Sequence, residues 1–388
     1  MVAENQPVTT SYKHLFQRSL AANPDRLHMA AHSHHLWPDA SWLGHQAAWE
    51  DAARLADTKW KRVMEEMWPA GQGHVARELA LPDPSTVCFA GNTHDFLIRI
   101  VSAIPRRPVR ILATAGEFHS FTRQVARWVE AGDVVLETVE ADDALEARLV
   151  ERARSGEHDL IVVSHVTFGT GRVFGALSDL AAVAAPEGPW VLVDGYHGFM
   201  AVETDFSAYA GALFYTAGGY KYAMAGEGVG FLHAPPGYAM RPAVTGWYAA
   251  FDDLTAPPGG VGYAPDGRRF LGATFDPSGL YRFVAVRDML AREGLSTAVI
   301  SAHVADLRDQ LIGSLDKSAL GDAEIVNPPG SMQARFLALR SPRAADWQAA
   351  LLARDVYTDV RGDVLRIGLG LYHDARDVEQ FCEIATKL

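Results

Sequence analysis

Seven short apolar runs alternate with helix-like stretches between residues 87 and 233. The runs are Val87–Ala90, Arg110–Thr114, Asp133–Glu137, Asp159–Ser164, Trp190–Asp194, Ala212–Thr216 and Gly228–His233. Between them, apolar residues recur at helical spacing in Asp95–Ile104, Ser120–Ala131, Ala141–Arg154 and Leu177–Ala185. Strands that alternate with helices predict an α/β domain with a mostly parallel sheet covered on both faces.

The pattern changes after residue 233. Loop signals occur at Ala234–Gly237 and Thr255–Gly260, and residues 246–276 are rich in glycine and aromatic residues, which predicts an active-site loop region. Farther on, helical patterns occur at Tyr281–Glu293, Leu295–Leu315 and Ala345–Arg354, and strand-like runs at Ala334–Leu339 and Val364–Gly368. This mixture predicts a smaller α+β domain.

The chain before the sheet has two helical patterns, at Tyr12–Ala22 and Trp42–Glu66. We expect this part to pack against both domains. The chain is therefore divided into an N-terminal segment (1–60), a large domain (61–280) and a small C-terminal domain (281–388).

Composition excludes several classes of partner. The 388 residues carry a formal net charge of −12, which argues against a nucleic-acid surface. The two cysteines, Cys88 and Cys382, are too few for a disulfide framework. The N-terminus lacks a basic start followed by an apolar core, and no apolar run is long enough to cross a membrane. We expect a cytoplasmic protein with free thiols that acts on small solutes.

Lys221 and Asp194 carry the strongest chemical signal. Lys221 lies among small and aromatic residues in Phe214–Leu232, and Asp194 ends the apolar run that begins at Trp190. An acid at a strand end, followed about 25 residues later by a lysine in a small-residue loop, is typical of enzymes that hold pyridoxal phosphate. The alternatives are a solvated loop lysine and a helix-capping aspartate.

With His197 three residues after Asp194, this arrangement resembles the class V aminotransferase group of fold-type I pyridoxal phosphate enzymes, and within it kynureninase. The resemblance extends over most of the chain. It implies the fold-type I architecture, with a seven-stranded, mostly parallel sheet. It also implies that Lys221 binds the cofactor covalently, that Asp194 holds the ring nitrogen and that His197 contacts the ring oxygen. A core histidine is the alternative for His197.

The turn Gly91–His94 is the candidate phosphate site. It lies between the first strand and the next helix, where backbone N–H groups and the helix dipole favour an anion. Asn92 and Thr93 are the candidate ligands, and simple N-caps are the alternative. By the same resemblance, Tyr220 matches a phosphate-binding tyrosine.

Other positions follow from the resemblance alone. Phe118, in Ala115–Arg123, matches the residue that stacks on the pyridine ring, although a core phenylalanine is the alternative. Trp247 and Thr274 match two later segments, of which the second reaches the phosphate of the neighbouring subunit. The resemblance thus implies a homodimer with active sites at the subunit interface.

The segment 359–372 resembles the one that supplies the arginine for the substrate α-carboxylate, and Arg366 is the matching position. A planar guanidinium can bind a carboxylate through two parallel hydrogen bonds. Arg361 is the second choice. The alternative for either is an ion pair with Asp359 or Asp363.

The segment Met29–Pro38 departs from the kynureninase pattern because it contains His32, His34 and His35. Their spacing fits no zinc pattern and no cysteine joins them, so we expect polar groups that face the substrate and no metal site. His119-Ser-Phe also replaces the Pro-Thr-Asp that often follows the stacking phenylalanine.

Three functions are compatible with these residues. The first is a kynureninase-like lyase or hydrolase that acts on an α-amino acid through a cofactor-stabilised carbanion. The second is a class V aminotransferase, and the third is a non-catalytic regulatory protein that binds the cofactor. A desulfurase is disfavoured because it needs a mobile cysteine, whereas Cys88 lies in a predicted strand and Cys382 in a predicted terminal helix.

Overall fold

A computed structural model describes residues 10–253, 260–327 and 335–388. The predicted loop Thr255–Gly260, apart from Gly260, and the predicted strand residue Ala334 lie outside these ranges. Within them, no helix combines the length and the apolarity needed to cross a membrane.

The seven predicted strands form one sheet, which follows a short strand β1 (Leu27–His28). They are β2 (Val87–Ala90), β3 (Val109–Thr114), β4 (Val134–Val139), β5 (Leu160–Ser164), β6 (Trp190–Asp194), β7 (Leu213–Gly218) and β8 (Gly230–His233). Their order is β2-β8-β7-β6-β5-β3-β4, and only β8 pairs antiparallel with its neighbours. The predicted mostly parallel sheet is confirmed.

Helices cover this sheet because its central strands are apolar on both faces. Every residue of β5 and β7 is buried. The helices of this region are α5 (His94–Ala103), α6 (His119–Ala131), α7 (Leu145–Arg154) and α8 (Leu177–Ala181). In α6 the buried residues are Phe121 and Val125, and the helix ends where Gly132 adopts a left-handed conformation (φ 78°). One face of α6 therefore packs on the sheet and the other remains exposed.

The helices of the N-terminal region are shorter and more often interrupted than the sequence predicts. It contains α1 (Gln17–Ala21), α2 (Asp39–Leu55), α3 (Lys59–Arg62) and α4 (Trp68–Leu79). The continuous helix expected for Trp42–Glu66 is wrong, because α2 ends at Leu55 and Ala56 has a positive φ of 48°. A 3-10 turn follows at Ala56–Thr58, and α3 leads into a π-helical turn at Val63–Met67.

The C-terminal region forms a second, smaller sheet. Its strands, β9 (Glu324–Ile325), β10 (Phe336–Arg340), β12 (Asp359–Arg361) and β13 (Val364–Gly368), are antiparallel in the order β12-β13-β10-β9. The helices are α9 (Ser278–Arg292), α10 (Thr297–Ser314), α11 (Ala344–Leu352) and α12 (Ala375–Ala385). The predicted small α+β region is confirmed.

The N-terminal residues join the two regions. Helix α2 packs along α9, and β1 pairs in parallel with β11 (Val356–Tyr357). Ala30 then bridges to Gly368 of β13, and the backbone N–H of His35 donates to the carbonyl of Tyr220 at 2.9 Å. The histidine-containing segment therefore lies between the small sheet and the lysine loop. The domain limits at residues 60 and 280 remain a prediction.

Candidate active site

A cavity of about 1210 Å³ opens at the carboxyl ends of the central parallel strands. In this region Ser164 and Asp194 stand side by side at the ends of β5 and β6, and Thr216 lies next to Asp194 near the end of β7. This edge is where open α/β sheets bind their ligands. The cavity is lined by most of the predicted site residues, namely Asn92, Thr93, Phe118, Asp194, His197, Tyr220 and Lys221.

Lys221 lies in the loop that follows β7, and its side chain is buried. Its Nζ lies 5.5 Å from the ring centroid of Phe118, 5.0 Å from that of Tyr196 and 5.8 Å from that of Tyr220. Burial lowers the pKa of Lys221 to about 7, although the charge of Asp194 acts in the opposite direction. A large fraction of this amine is therefore neutral and nucleophilic near neutral pH.

His197 is in direct contact with the lysine. Its Nε2 lies 2.6 Å from Nζ of Lys221, and its Nδ1 is buried without a hydrogen-bond partner among the described residues. Burial, followed by the positive charge of Lys221, lowers the pKa of His197 well below its usual value. The imidazole is therefore neutral and can accept a hydrogen bond from the amine at Nε2.

Asp194 ends β6, and its Oδ1 accepts a hydrogen bond from the backbone N–H of Tyr196 at 2.9 Å. Burial raises the pKa of Asp194, while that hydrogen bond and Lys221 act against the shift. A buried carboxylate is stabilised by a cation beside it, and a protonated ring nitrogen would supply one.

Glu117 is a second buried carboxyl group, which the sequence analysis did not identify. Its oxygens accept hydrogen bonds from Ser164 Oγ at 2.6 Å and from Thr114 Oγ1 at 2.7 Å. Burial raises the pKa of Glu117 to about 7, and the charge of Asp194 adds to the increase. The only signal in the sequence is that Glu117 directly precedes Phe118.

The candidate phosphate site lies at the N-terminus of α5. Asn92 caps this helix, because its Oδ1 accepts from the backbone N–H of Asp95 at 3.0 Å. Thr93 makes no such side-chain bond. A Cβ at Gly230 would come within 2.9 Å of the Asn92 backbone, so glycine permits this close approach. The side chain of Asn92 therefore acts as a helix cap, which is the alternative to a phosphate ligand. The N-terminus of α5 still lies at the cavity wall, where it can bind an anion.

Aromatic side chains form much of the remaining wall. Phe118 is half-buried at the N-cap of α6, and the ring of Phe168 packs edge-on against it at 5.8 Å. Tyr220 lies between Tyr196 at 4.6 Å and the stacked ring of His34 at 4.9 Å. Tyr196 and Phe168 are cavity residues that the sequence analysis did not identify.

The three histidines of the N-terminal segment have different surroundings. His34 is exposed and stacks on Tyr220, whereas the buried ring of His35 packs against Tyr372 at 4.9 Å. His32 is fully buried and stacks on Phe336 at 4.7 Å. No group of potential metal ligands occurs among the residues that the structure describes.

Trp247 and Thr274 lie away from the cavity of their own chain. Trp247 is 45% exposed and packs on Tyr248 and Phe251, and Thr274 is exposed. None of the described residues in the predicted active-site loop region, 246–276, lines this cavity. The roles assigned to Trp247 and Thr274 remain predictions, and that of Thr274 requires a second subunit.

Arg366 is also absent from the cavity wall. It is buried, and its guanidinium contacts the carboxylate of Asp359 and the backbone carbonyl of Phe168. The alternative considered for this arginine, an ion pair with Asp359, is therefore present in the structure, with Arg366 buried and Asp359 partly buried. Arg366 Cζ lies 5.8 Å from the centroid of the Phe168 ring, which does line the cavity.

These residues fit pyridoxal 5'-phosphate. Lys221 supplies an amine with a lowered pKa, and Asp194 supplies a buried carboxyl group that interacts electrostatically with that amine. Phe118 supplies a ring face, and the N-terminus of α5 supplies backbone donors for a phosphate. His197 Nδ1 is a buried polar atom that lacks a partner among the described residues.

Solved structures share the fold of this chain. The cystine C-S lyase C-DES, in complex with its product cysteine persulfide, matches with a TM-score of 0.79 and 17% identity over 94% of this chain and 99% of that one. The cysteine desulfurase from Thermococcus onnurineus NA1 matches with a TM-score of 0.79 and 18% identity over 98% and 99%. The cysteine desulfurase CsdA from Escherichia coli matches with a TM-score of 0.78 and 16% identity over 96% and 97%.

The family is shown by the sequence itself. Residues 57–339 match the family described as aminotransferase class-V, whereas a search of curated proteins finds no match. Similarity to kynureninase in particular is not shown by these comparisons. The chain belongs to the class V aminotransferase family of fold-type I enzymes, and its cofactor is pyridoxal 5'-phosphate.

Proposed function

We propose that this enzyme breaks a bond in the side chain of an α-amino acid, as a kynureninase-like lyase or hydrolase. The observation that supports a catalytic role most strongly is the buried Lys221 amine, with its pKa lowered to about 7, in contact with the neutral His197 imidazole. A lysine that both binds a cofactor and exchanges protons near neutral pH needs such a pKa.

Each residue has a defined task in this proposal. When bound, pyridoxal 5'-phosphate supplies an electron-withdrawing ring that weakens bonds at the substrate α-carbon. Lys221 attaches the cofactor, and Asp194 keeps the ring nitrogen protonated. Phe118 orients the ring. His197 holds the Lys221 amine in place through a hydrogen bond at Nε2.

The cavity wall suggests the class of substrate. Phe168, Tyr196 and Tyr220 line it in addition to the ring-stacking candidate Phe118. Aromatic walls favour planar apolar groups, which pack against ring faces and edges. We therefore propose an α-amino acid with an aromatic or other planar side chain.

Both cysteines lie outside the cavity, which argues against a cysteine desulfurase that takes sulfur onto its own thiol. Cys88 is buried in β2, and burial raises the pKa of its thiol. Cys382 is half-buried in α12, and burial raises its pKa too. Neither thiol is placed to form a thiolate next to Lys221.

A transaminase is the second candidate, because the chain matches the class V aminotransferase family over residues 57–339. In that reaction Lys221 would move a proton between two carbon atoms and a keto acid would be released. A non-catalytic role is disfavoured, since Lys221, Asp194 and His197 retain the properties that catalysis needs.

We also propose that the chain acts as a homodimer. The outer face of α2 exposes Trp42, Leu43 and Trp49, at 47%, 60% and 71%. Clustered exposed apolar side chains mark interaction surfaces. Light scattering should give twice the chain mass, and a monomer at micromolar concentration would contradict this proposal.

The reaction type can be decided with the cofactor-loaded protein. It should be incubated with L-kynurenine, aromatic amino acids and aliphatic amino acids, and the products identified by mass spectrometry. Release of the side chain with retention of the cofactor supports the lyase or hydrolase. Stoichiometric formation of pyridoxamine phosphate and a keto acid would instead establish the transaminase. Lys221→Ala serves as the inactive control.

A further inference from the structure

Asp359 forms an ion pair with Arg366, the arginine that is proposed to bind the substrate carboxylate. Asp359 and Arg366 are directly opposite residues of the antiparallel strands β12 and β13, so their side chains project from the same face of the sheet. One terminal nitrogen of Arg366 donates to Oδ2 of Asp359, and the other donates to the carbonyl of Phe168. Nε of Arg366 is buried without a partner among the described residues.

The same carboxylate binds a second arginine. Nη1 of Arg361 lies 2.9 Å from Oδ1 of Asp359, and the Arg361 side chain is 41% exposed. Asp359 thus bridges a buried guanidinium and an accessible one. A buried arginine without a partner is costly, which explains why Arg366 is paired with Asp359.

Movement of Asp359 is restricted on one side. The ring of His32 lies 3.6 Å from Oδ2 of Asp359, and it stacks on Phe336. His32 itself cannot recede, because it packs so closely on β13 that a Cβ at Gly368 would overlap its ring. The open direction for the carboxylate is therefore toward the accessible Arg361.

Phe168 separates Arg366 from the cavity. Its ring lines the cavity and packs on His119 at 5.4 Å, while its carbonyl accepts from Arg366. A substrate carboxylate that reaches Arg366 must replace both the Asp359 carboxylate and this carbonyl if it is to use the two terminal nitrogens.

We propose that Asp359 is a resident carboxylate that competes with the substrate for Arg366, and that Arg361 receives it when the substrate binds. This inference rests on the proposed role of Arg366. Because the substrate carboxylate must displace Asp359, its binding to Arg366 yields less net free energy than binding to an unpaired guanidinium would. A simple carboxylate therefore binds weakly, whereas an amino acid gains the remaining affinity through its amine at the cofactor. Asp359 thus lowers the affinity of the site for every ligand that binds through a carboxylate.

Two variants test this proposal with effects of opposite sign. Asp359→Asn removes the competing charge, so propionate should bind the cofactor-loaded protein about tenfold more tightly, as measured by the change in cofactor absorbance. Arg361→Gln removes the alternative partner of Asp359, so propionate should bind several-fold more weakly. In the double variant the effect of Arg361→Gln should vanish, since there is no displaced charge to receive.

Asp363→Asn is the matched control. Asp363 lies on the same hairpin, but it is 60% exposed and its nearest cationic partner is Arg340 at 3.8 Å. This change should leave propionate affinity unaltered. Equal or weaker binding by Asp359→Asn, or unchanged binding by Arg361→Gln, would overturn the proposal.

Two readouts keep a failure of this proposal separate from a failure of the proposed function. Cofactor attachment at Lys221 is measured first by absorbance and peptide mass, and its absence would count against the proposed function. If Asp359→Asn lowers the melting temperature too far for titration, the exposed Arg361 still provides the test, because its truncation leaves the buried pair intact. Tighter propionate binding by Arg361→Gln would then refute the exchange.

Discussion

Nζ of Lys221 and Nε2 of His197 lie 2.6 Å apart, and both side chains are buried. Burial disfavours the cationic form of each group, and the positive charge of Lys221 lowers the pKa of His197 further. The amine that we propose binds the cofactor thus has a neutral hydrogen-bond partner. This contact joins the end of β6 to the loop after β7, and the functional proposals depend on it.

Replacement of His197 tests that contact. His197→Ala should leave the cofactor bound but reduce turnover about a hundredfold, since Lys221 loses its proton partner. Steady-state kinetics should show the loss mainly in kcat. His303→Ala is the control, because His303 lies outside the cavity, where it contacts Tyr12 and the carbonyl of His373. Normal turnover by His197→Ala would remove His197 from the mechanism.

Asp194 is expected to act through the ring nitrogen. Asp194→Ala should retain part of the cofactor, because the phosphate site is separate, yet reduce turnover by several powers of ten, on the order of 10³-fold or more. Asp205→Ala is a matched change at an exposed aspartate. Near-normal activity of Asp194→Ala would show that another group holds the ring.

The pH dependence of stability provides a test without turnover. Burial raises the pKa of Glu117 from its ordinary 4.5 to about 7, so the folded protein retains a proton there and its stability falls as pH rises from 4.5 to 7. Burial lowers the pKa of Lys221 from its ordinary 10.5 to about 7, so the unfolded chain binds the extra proton and stability rises from pH 7 to 10.5.

Urea unfolding of the cofactor-free protein at several pH values should show both slopes. Glu117→Gln should flatten the curve below pH 7, and Lys221→Met should flatten it above pH 7. If either variant leaves its own slope unchanged, the corresponding pKa shift is not present in the folded protein.

Arg366 and Arg361 should differ in their response to a conservative change. Arg366→Lys keeps the charge but loses the planar fork, so substrate binding should weaken by roughly 2–3 kcal/mol, or about a hundredfold, with little change in the cofactor spectrum. Arg361→Lys should have a much smaller effect on substrate binding, since a lysine can still form an ion pair with Asp359. The reverse ranking, measured by titration with an amino-acid substrate, would move the carboxylate site to Arg361.

Much of the large sheet and its site can be predicted from local sequence. The run Trp190–Asp194 coincides with β6, because a strand buried on both sides must be continuously apolar and the first acid marks its end. Lys221 and Asp194 then meet because the carboxyl ends of parallel strands share one edge of the sheet.

Features that depend on tertiary contacts could not be predicted in this way. Ala56 interrupts the helical pattern with a positive φ, for which an alanine gives no sequence signal. Arg366 is separated from the cavity by Phe168, which is distant in the sequence and lies in the predicted large domain. The raised pKa of Glu117 depends on burial beside Ser164, which no local pattern reveals.

The most direct test of the central claim is covalent capture of the cofactor. Purified protein loaded with pyridoxal 5'-phosphate should be reduced with borohydride, digested and analysed by mass spectrometry, with Lys221→Ala as the control. We predict loss of the yellow colour and a cofactor-sized mass increase on the peptide that contains Lys221, and neither in the control. A reduced protein without that mass on the Lys221 peptide, or with it on another lysine, would contradict the assignment of this site.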